Sequence, residues 1–188
     1  MLTFIGYIMQ LIINPRRGWE DVAADSPVPR RLLLTGLLPF IILTALTSFV
    51  RVFYFTDYTF IDAVQNAIIN AVTYFATYFI ASFAISLKIN ALETTQGDTL
   101  SETEAADRVD VFCSCIVGLL LLITLISNLI PLDLSLLQYL PLYSVYVIWK
   151  GAEYLRIATD KIGHFMILSV LTIVVPVYLL GYFFHLFT

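Results

Sequence analysis

Charged side chains are scarce in this chain. Asp, Glu, Lys and Arg make up 13% of its 188 residues, whereas an ordinary soluble domain carries about 25%. Hydrophobic residues make up 60%, and the mean hydropathy is +0.89. These proportions exclude an ordinary soluble globular domain and predict a membrane protein.

Histidine and cysteine are rare as well, with two of each. His164 and His185 stand at opposite ends of one apolar segment, about 31 Å apart on a helix, so they cannot share a metal ion. Cys113 and Cys115 are two positions apart, so a helix turns their side chains to nearly opposite faces and predicts packing rather than a disulfide. No HExxH or GxSxG pattern occurs. We therefore expect a protein that is not an enzyme, with no catalytic residues, no metal site and no cofactor.

Basic residues are outnumbered by acidic ones, ten to fourteen, and the net charge is −4. Much of the negative charge lies in residues 90–108, the one sizeable polar stretch between apolar segments. We expect these residues to form an acidic cytoplasmic linker. A membrane protein with a net negative charge is not expected to bind nucleic acid.

Apolar blocks, by contrast, are abundant. A bilayer core needs about 20 apolar residues per spanning helix, and the predicted transmembrane helices are 32–53, 60–89, 109–130, 132–149 and 163–187. The fourth is short and contains Gln138 and Pro141, so a re-entrant or kinked segment is an alternative there. We predict an all-α fold over a single domain, 1–188. It is a polytopic membrane helical bundle of about five transmembrane helices.

The distribution of basic residues predicts the orientation. Nine of the ten fall on one side of a five-span arrangement, and only Arg51 falls on the other. Basic residues in short loops stay on the cytoplasmic side, so we expect the N-terminus in the cytoplasm and the C-terminus outside. A charge at the depth of Arg51 is costly unless it is paired, and Asp57 or Asp62 is the expected partner.

The first 13 residues, MLTFIGYIMQLII, are apolar but too short to span a bilayer. They lack the basic start and the cleavage site of a signal peptide. Within the cytoplasmic segment 1–31 we expect them to form an interfacial helix; a cap packed beneath the bundle is the alternative. Arg16 and Arg17 follow, suited to lipid headgroups, and the indole of Trp19 is expected at the same depth.

Polar and small residues recur at steps of three or four along the second span, which places them on one helical face. They are Asp62, Asn66, Asn70, Thr73, Thr77, Ala81, Ala84 and Lys88. One interpretation is a close-packed seam with interhelical hydrogen bonds, each worth about 0.6–2 kcal/mol in a membrane. The other is the lining of a path for a solute or an ion. The sequence leaves both open.

The third span shows a weaker version of the same pattern. Asp110, Ser114, Gly118, Leu121, Thr124 and Asn128 share one face. We expect this face to pack against the second span. Pro39 and Pro176 interrupt the first and last spans, and each is expected to kink its helix because it frees a backbone carbonyl.

A tyrosine-rich stripe closes the fourth span. Tyr143, Tyr146 and Lys150 lie on one helical face. Aromatic rings leading into a cation are typical of a membrane interface, where they set helix depth and bind headgroups. We expect Arg16, Arg17, Trp19 and this stripe to face lipids or partner proteins.

Two of these segments resemble prokaryotic Yip1-domain proteins. Asn14-Pro15-Arg16-Arg17-Gly18-Trp19-Glu20 is similar to the "NP…W" opening of that family, and the segment from Tyr143-Ser144-Val145-Tyr146 to Lys150-Gly151 is similar to its tyrosine-rich fourth span. The resemblance implies five spans, a cytoplasmic N-terminus and an integral membrane protein without an established activity. Eukaryotic relatives are implicated in vesicle traffic and in binding Rab-type GTPases, but their DLYGP-type motif does not occur here.

These observations lead to two hypotheses about function. The first is a non-enzymatic Yip1-like membrane protein that organises membrane partners or lipids. The alternative is a small transporter or channel with a polar path along the second span. The expected partners are the lipid bilayer, other membrane proteins or further copies of the chain. The family resemblance implies a prokaryotic plasma membrane as the location.

Overall fold

The computed structural model describes residues 1–92, 101–130 and 140–186, and seven helices make up this part of the chain. The helices are α1 (Leu2–Ile13), α2 (Pro15–Asp25), α3 (Pro29–Phe53), α4 (Phe60–Leu92), α5 (Glu102–Leu129), α6 (Leu140–Tyr154) and α7 (162–186). A short 3-10 turn, Thr159–Lys161, leads into α7. The prediction of an all-α helical bundle is confirmed.

Four of the described helices are long and apolar enough to cross a membrane, namely α3, α4, α5 and α7. They make this a membrane-embedded protein. Each predicted span except the fourth overlaps one of them. The fourth predicted span, 132–149, is described only from residue 140, where α6 has 15 residues, so the count of five spans stays a prediction. Phe187, the end of the fifth predicted span, lies outside the described residues.

Helix α5 begins earlier than its apolar run. The sequence placed residues 101–108 in an acidic linker, but α5 starts at Glu102, and the Ser101 hydroxyl accepts a hydrogen bond of 3.2 Å from the Glu104 backbone N–H. A serine cap followed by Glu102 and Glu104 in the first turn satisfies free N–H groups and suits the helix dipole. The linker prediction is therefore wrong for 90–92, which end α4, and for 102–108, while 93–100 lie outside the described part.

One end of the bundle carries several basic side chains. The Lys161 ammonium donates to the Ala91 carbonyl at 2.8 Å, and Arg108 Nη1 donates to the Tyr154 carbonyl at 3.1 Å. The end of α4, the start of α5 and the end of α6 therefore meet. A small groove also joins Val28 and Pro29 to Arg108 and Tyr154. We call this the basic end, defined by Arg31, Lys88, Arg108 and Lys161.

Helix α6 runs back along α5. Its residue Gly151 lies beside Phe112, and Tyr154 lies beside Arg108. Leu129, where α5 ends, is 21 residues beyond Arg108, or about 31 Å along the helix. The chain therefore returns toward the basic end between Leu129 and Tyr154.

Helix α5 forms the centre of the bundle. All residues from Val111 to Leu121 are buried. A helix that is buried on every side must be contacted from all directions, and α1, α3, α4, α6 and part of α7 surround it. Helix α7 lies at the edge, with only 17% of its most apolar window buried. Exposed apolar side chains on α7, which include Ile167, Leu171 and Leu179, are suited to contact with lipid.

Helices α1 and α2 form an antiparallel hairpin that packs into the bundle. Phe4, Ile8 and Leu11 of α1 are fully or nearly fully buried, while Leu2 and Ile13 on its other face are exposed. Phe4 lies against Gly36, which is seven residues, or about 10 Å, inside the start of α3. Of the two arrangements left open by the sequence, the contacts favour a packed element, and its exposed apolar face remains free to contact lipid.

Pro39 and Pro176 lie inside spanning helices, and each follows a π-helical turn. The π-helical segments are Leu33–Leu37, two residues before Pro39, and Val170–Val174, two residues before Pro176. Proline has no N–H for the carbonyl four residues back, and the wider turn redistributes the hydrogen bonds there. Thr35 and Thr172, each four residues before the proline, donate at 2.8 Å to the carbonyls of Arg31 and Leu168. The expected interruptions therefore take the form of π turns.

Candidate functional site

Near the start of α4, side chains of the predicted polar face form hydrogen bonds within their own helix. Thr59 and Asp62 form a capping box, in which the Asp62 carboxylate accepts from the Thr59 backbone N–H at 2.8 Å and from its hydroxyl at 2.7 Å. The Asn66 side-chain amide donates to the Asp62 carbonyl at 2.9 Å. These two predicted site residues therefore stabilise the first turns of their own helix.

In the middle of the bundle the polar face becomes an interhelical seam. The Asn70 amide donates to the Ser48 hydroxyl of α3 at 3.4 Å, and the Asn128 amide of α5 donates to the Thr47 hydroxyl at 3.1 Å. Inside a membrane such bonds replace contacts that water cannot supply. We call this set the polar seam, and its members are Thr47, Ser48, Asn70, Thr73, Tyr74, Thr77, Thr124 and Asn128.

The contacts between α4 and α5 match the predicted pairing of the second and third spans. The Tyr74 hydroxyl hydrogen-bonds with the Thr124 hydroxyl and donates to the Leu120 carbonyl at 3.3 Å. Nearer the basic end, Ser82 hydrogen-bonds with Asp110. Asp110 and Thr124 thus face α4 as predicted, whereas Gly118 receives a side chain of α1 instead.

Two threonines of the seam keep unpartnered hydroxyls. Thr73 is 3% exposed and Thr77 is fully buried, and neither hydroxyl oxygen has a hydrogen-bond partner among the described residues. Thr73 also lines a cavity of about 170 Å³ between α4, α5 and α7, together with Asn70, Tyr74, Thr124 and Tyr178. The space is large enough for a few water molecules.

Lys88 does not belong to the seam. It is exposed at the basic end of α4, 26 residues from Asp62 and therefore about 39 Å away along the helix. The helical face does run the length of α4, but its two charged members lie at opposite ends. Its neutral middle, from Asn70 to Ala81, lies inside the bundle.

Arg51 is not paired with Asp57 or Asp62, so that prediction is wrong. Its guanidinium carbon lies 5.0 Å from the ring centre of Tyr58 and 5.5 Å from that of Phe55. Asp62 is occupied by its capping box, and the aromatic faces supply the cation with an electrostatic partner instead. The sequence showed that Arg51 is charged but not that the Asp62 carboxylate already accepts hydrogen bonds from Thr59.

The two cysteines lie in the centre of the bundle. Cys113 and Cys115 are both fully buried free thiols. Their side chains leave α5 on different faces, and both directions are buried because neighbouring helices surround α5. This agrees with a packing role. His164 is exposed at the start of α7, and the side chain of His185 lies outside the described residues.

Trp19 is a core residue, so its predicted lipid-facing role is wrong. It is 3% exposed, its indole Nε1 donates to the Val147 carbonyl at 3.0 Å, and its ring stacks on those of Phe112 and Tyr154. The glycine at position 151 makes room for the indole between α5 and α6. Tryptophan has one N–H donor on a large apolar ring, and here the donor is hydrogen-bonded and the ring is packed within the protein.

The neighbouring arginines are exposed on the hairpin. Arg16 forms an ion pair of 3.3 Å with Glu20, four residues further along α2. Arg17 is exposed, and its backbone N–H donates to the side-chain oxygen of Asn14, the residue that caps α2. Both side chains are exposed, and their contact with headgroups or partners stays a prediction.

The tyrosine stripe on α6 divides into a buried and an exposed part. The Tyr143 hydroxyl donates to the Ile12 carbonyl at 2.7 Å and so caps the end of α1. Tyr146 and Trp149 are nearly half exposed, with ring centres 5.9 Å apart, and the Lys150 ammonium lies 4.3 Å from the Trp149 ring. We call Tyr146, Trp149 and Lys150 the aromatic–cation stripe.

The sequence did not predict a cavity beside the N-terminal hairpin. A groove of about 540 Å³ opens at the basic end between α1, the end of α2 and the first turns of α3. Its lining includes Phe4, Tyr7, Asp25, Arg31 and Leu32. The Tyr7 hydroxyl donates to Asp25 Oδ2 at 2.9 Å, and burial together with this bond raises the pKa of Tyr7 to about 12. We call this the N-terminal groove.

The hairpin packs closely against the bundle because three glycines leave space for α1. A Cβ at Gly118 would lie 2.6 Å from the Phe4 ring, and one at Gly36 would lie 2.8 Å from the same ring. Within α2, a Cβ at Gly18 would lie 2.9 Å from the Leu11 backbone nitrogen. Small residues inside apolar helices are a known sign of close packing. The sequence contained that sign but not the identity of the residues that fill the spaces.

No family model matches this chain, and no curated protein or solved structure matches it either. The resemblance to Yip1-domain proteins therefore stays a prediction.

Proposed function

We propose that this chain is a non-enzymatic, multi-pass membrane protein of the Yip1-like type that organises membrane lipids or membrane-protein partners, including further copies of itself. The observation that carries the proposal is the contrast between two cavities. The N-terminal groove has about 540 Å³ and opens at the basic end, whereas the cavity in the polar seam has about 170 Å³. Ligand sites usually have about 300–1,000 Å³.

Exposed aromatic and cationic side chains on α2 and α6 support the same proposal. The aromatic–cation stripe, Arg16 and Arg17 combine apolar rings with cations, which is the chemistry that anchors a surface to lipid headgroups. In contrast, most side chains of the polar seam are used in bonds between helices. A seam of this kind stabilises a bundle without conducting a solute.

The proposed location is a prokaryotic plasma membrane with the basic end in the cytoplasm. Basic residues in short loops are retained on that side, and Arg31, Lys88, Arg108 and Lys161 all lie at one end of the bundle. With five crossings, the C-terminus lies outside.

A small transporter or channel is the second candidate, and one observation favours it. The unpartnered hydroxyls of Thr73 and Thr77 lie along the seam, and Thr73 borders its cavity. Buried hydroxyls without protein partners are the groups that a water or a passing solute would satisfy. This candidate requires that the cavity connects to water on both sides.

Cysteine accessibility separates the two functions. Cys113 and Cys115 are first replaced by Ala, and then Asn66, Asn70, Thr73 or Thr77 is replaced singly by Cys and treated with a membrane-impermeant thiol reagent. Glu20→Cys and Asp57→Cys, both at exposed positions, serve as labelled controls for the two sides. We expect Thr73→Cys and Thr77→Cys to stay unlabelled in correctly inserted protein. Labelling of both from either side would establish a water-filled path and overturn the organising function.

A further inference from the structure

The N-terminal groove combines two opposite charges that do not pair with each other. Asp25 and Arg31 both line it, yet no ion pair within 4.0 Å joins them. Within the described residues Arg31 forms no ion pair, and Asp25 accepts one side-chain hydrogen bond, from Tyr7. A cation and an anion held apart in one groove are complementary to a ligand that carries both charges.

The groove is also amphipathic. Phe4 and Leu32 contribute buried apolar side chains to its wall, while Asp25 and Arg31 are exposed at its edge. Leu34, one turn along α3 from Arg31, is half exposed and apolar. A molecule with a charged headgroup and a hydrocarbon tail is complementary to a groove with charged residues at its edge and apolar side chains beside them.

The depth of the groove identifies the source of such a molecule. Arg31 lies in the first turn of α3, the helix that enters the membrane from the basic end. This is the depth at which lipid phosphates lie next to helix-terminal arginines. The hairpin closes one side of the groove through the Tyr7–Asp25 hydrogen bond, which spans α1 and α2.

We propose that the N-terminal groove binds the headgroup of an ethanolamine phospholipid, with the phosphate at Arg31 and the ammonium at Asp25. Guanidinium groups form charge-assisted hydrogen bonds with phosphate, and a primary ammonium donates up to three hydrogen bonds to acceptors such as a carboxylate. The acyl chains lie along the apolar surface that includes Leu34. This inference rests on the proposed lipid-organising function and names the lipid class.

The same geometry discriminates against the other common headgroups. Phosphatidylglycerol brings a phosphate but no cation, which leaves the Asp25 carboxylate facing an anionic ligand. Phosphatidylcholine carries a cation without N–H donors, so it cannot hydrogen-bond to Asp25. Specificity therefore depends on Asp25, whereas binding of any phospholipid depends on Arg31.

The test measures lipid retention by delipidated full-length protein in mixed micelles with equal amounts of phosphatidylethanolamine, phosphatidylglycerol and phosphatidylcholine. Native mass spectrometry counts each bound lipid. We expect the ethanolamine lipid to be enriched over both others. Arg31→Gln should reduce its retention roughly tenfold or more, as expected for loss of a charge-assisted hydrogen bond, and Arg31→Lys should restore most of it.

Neighbouring residues provide matched controls. Arg30→Gln removes an exposed cation next to Arg31 that does not line the groove, and Asp21→Asn changes a carboxylate one turn before Asp25. Both should leave retention unchanged, whereas Asp25→Asn should abolish the preference for ethanolamine over glycerol. Equal retention by Asp25→Asn and wild type, or enrichment of phosphatidylglycerol or of no lipid in wild type, overturns the site. The cysteine experiment is independent of this result, so failure of the groove and failure of the organising function are distinguishable.

Discussion

The indole Nε1 of Trp19 donates a 3.0 Å hydrogen bond to the backbone carbonyl of Val147, 128 residues further along the chain. The donor lies on the N-terminal hairpin and the acceptor on α6. Val147 is itself fully buried. This bond, together with stacking of the indole on Phe112 and Tyr154, fixes the hairpin to the bundle.

Trp19→Phe tests the hydrogen bond, and Trp19→Ala tests the whole anchor. We expect Trp19→Phe to lower the free energy of unfolding by about 0.5–1.5 kcal/mol, since it removes one hydrogen bond to a carbonyl that also accepts a bond within its own helix. Trp19→Ala should lower it by about 3–5 kcal/mol because it also opens a cavity. Unfolding is followed by circular dichroism in an SDS titration. Trp149→Phe is the control, since Trp149 is 46% exposed, and an equal effect there would contradict the anchor.

Gly118→Ala should displace α1. The added methyl group would lie 2.6 Å from the Phe4 ring and 2.7 Å from the end of Ile8. Overpacking of this kind costs about 1–3 kcal/mol. Phe4→Leu in the same protein should recover part of the loss, so the two changes are less than additive. Gly163→Ala is the matched control, because no atom lies within 4 Å of the position that its methyl group would take; equal stability of both glycine variants and wild type would refute the close contact.

The Asn128–Thr47 hydrogen bond of the polar seam should be measurable by a double-mutant cycle. The variants are Asn128→Leu, Thr47→Val and their combination. Membrane hydrogen bonds average about 0.6 kcal/mol in such cycles, with a maximum of about 1.7 kcal/mol, and we expect a coupling free energy in this range. Thr172→Val replaces Thr47→Val in the control cycle, since Thr172 bonds within its own helix. Coupling of the same size in both cycles would mean that the seam bond contributes nothing specific.

Cys113 and Cys115 should not react with maleimide in the folded protein. Both are fully buried in α5, and a thiol reacts only when the reagent reaches it. Mass spectrometry should therefore show no added label before denaturation and two labels after it. Ser101→Cys, at an exposed cap, should gain a single label under native conditions. Fast labelling of the native cysteines would contradict the packing around α5.

The Tyr7–Asp25 bond gives the hairpin a dependence on alkaline pH. The pKa of Tyr7 in the folded protein is about 12, above its ordinary value of 10.0. The folded state therefore holds the phenol proton more tightly than the unfolded state does, so this contribution to stability is fully present below pH 10 and is lost as pH rises from about 10 to 12. Wild type should lose more stability than Tyr7→Phe between pH 9 and pH 12. Parallel decreases in the two proteins would exclude a role for this phenol.

Hydropathy was sufficient to locate the long helices, because the length of an apolar run is set by the bilayer. The predicted span 60–89 corresponds to α4, Phe60–Leu92, and 32–53 corresponds to α3, Pro29–Phe53. The start of α5 was missed because Ser101, Glu102 and Glu104 stabilise a helix through capping rather than through apolar content.

Side-chain partners were predicted less well than helices. The spacing on α4 correctly indicated a polar face, but Asp62 is used in a capping box and Arg51 stacks on aromatic rings. Trp19 is equally compatible with an interface and with a core until its acceptor on α6 is known. The groove depends on the packing of α1 against the first turns of α3, which no local pattern encodes.

The long-range anchoring of the hairpin has a consequence for biosynthesis. Trp19 leaves the ribosome 128 residues before Val147, the residue that accepts its hydrogen bond. During that interval α1 and α2 are synthesised without their docking surface on α6. Their apolar face must be shielded by lipid or by the insertion machinery until α6 has emerged. Docking of the hairpin on the bundle is therefore a late event of translation, although the hairpin is the first segment to be made.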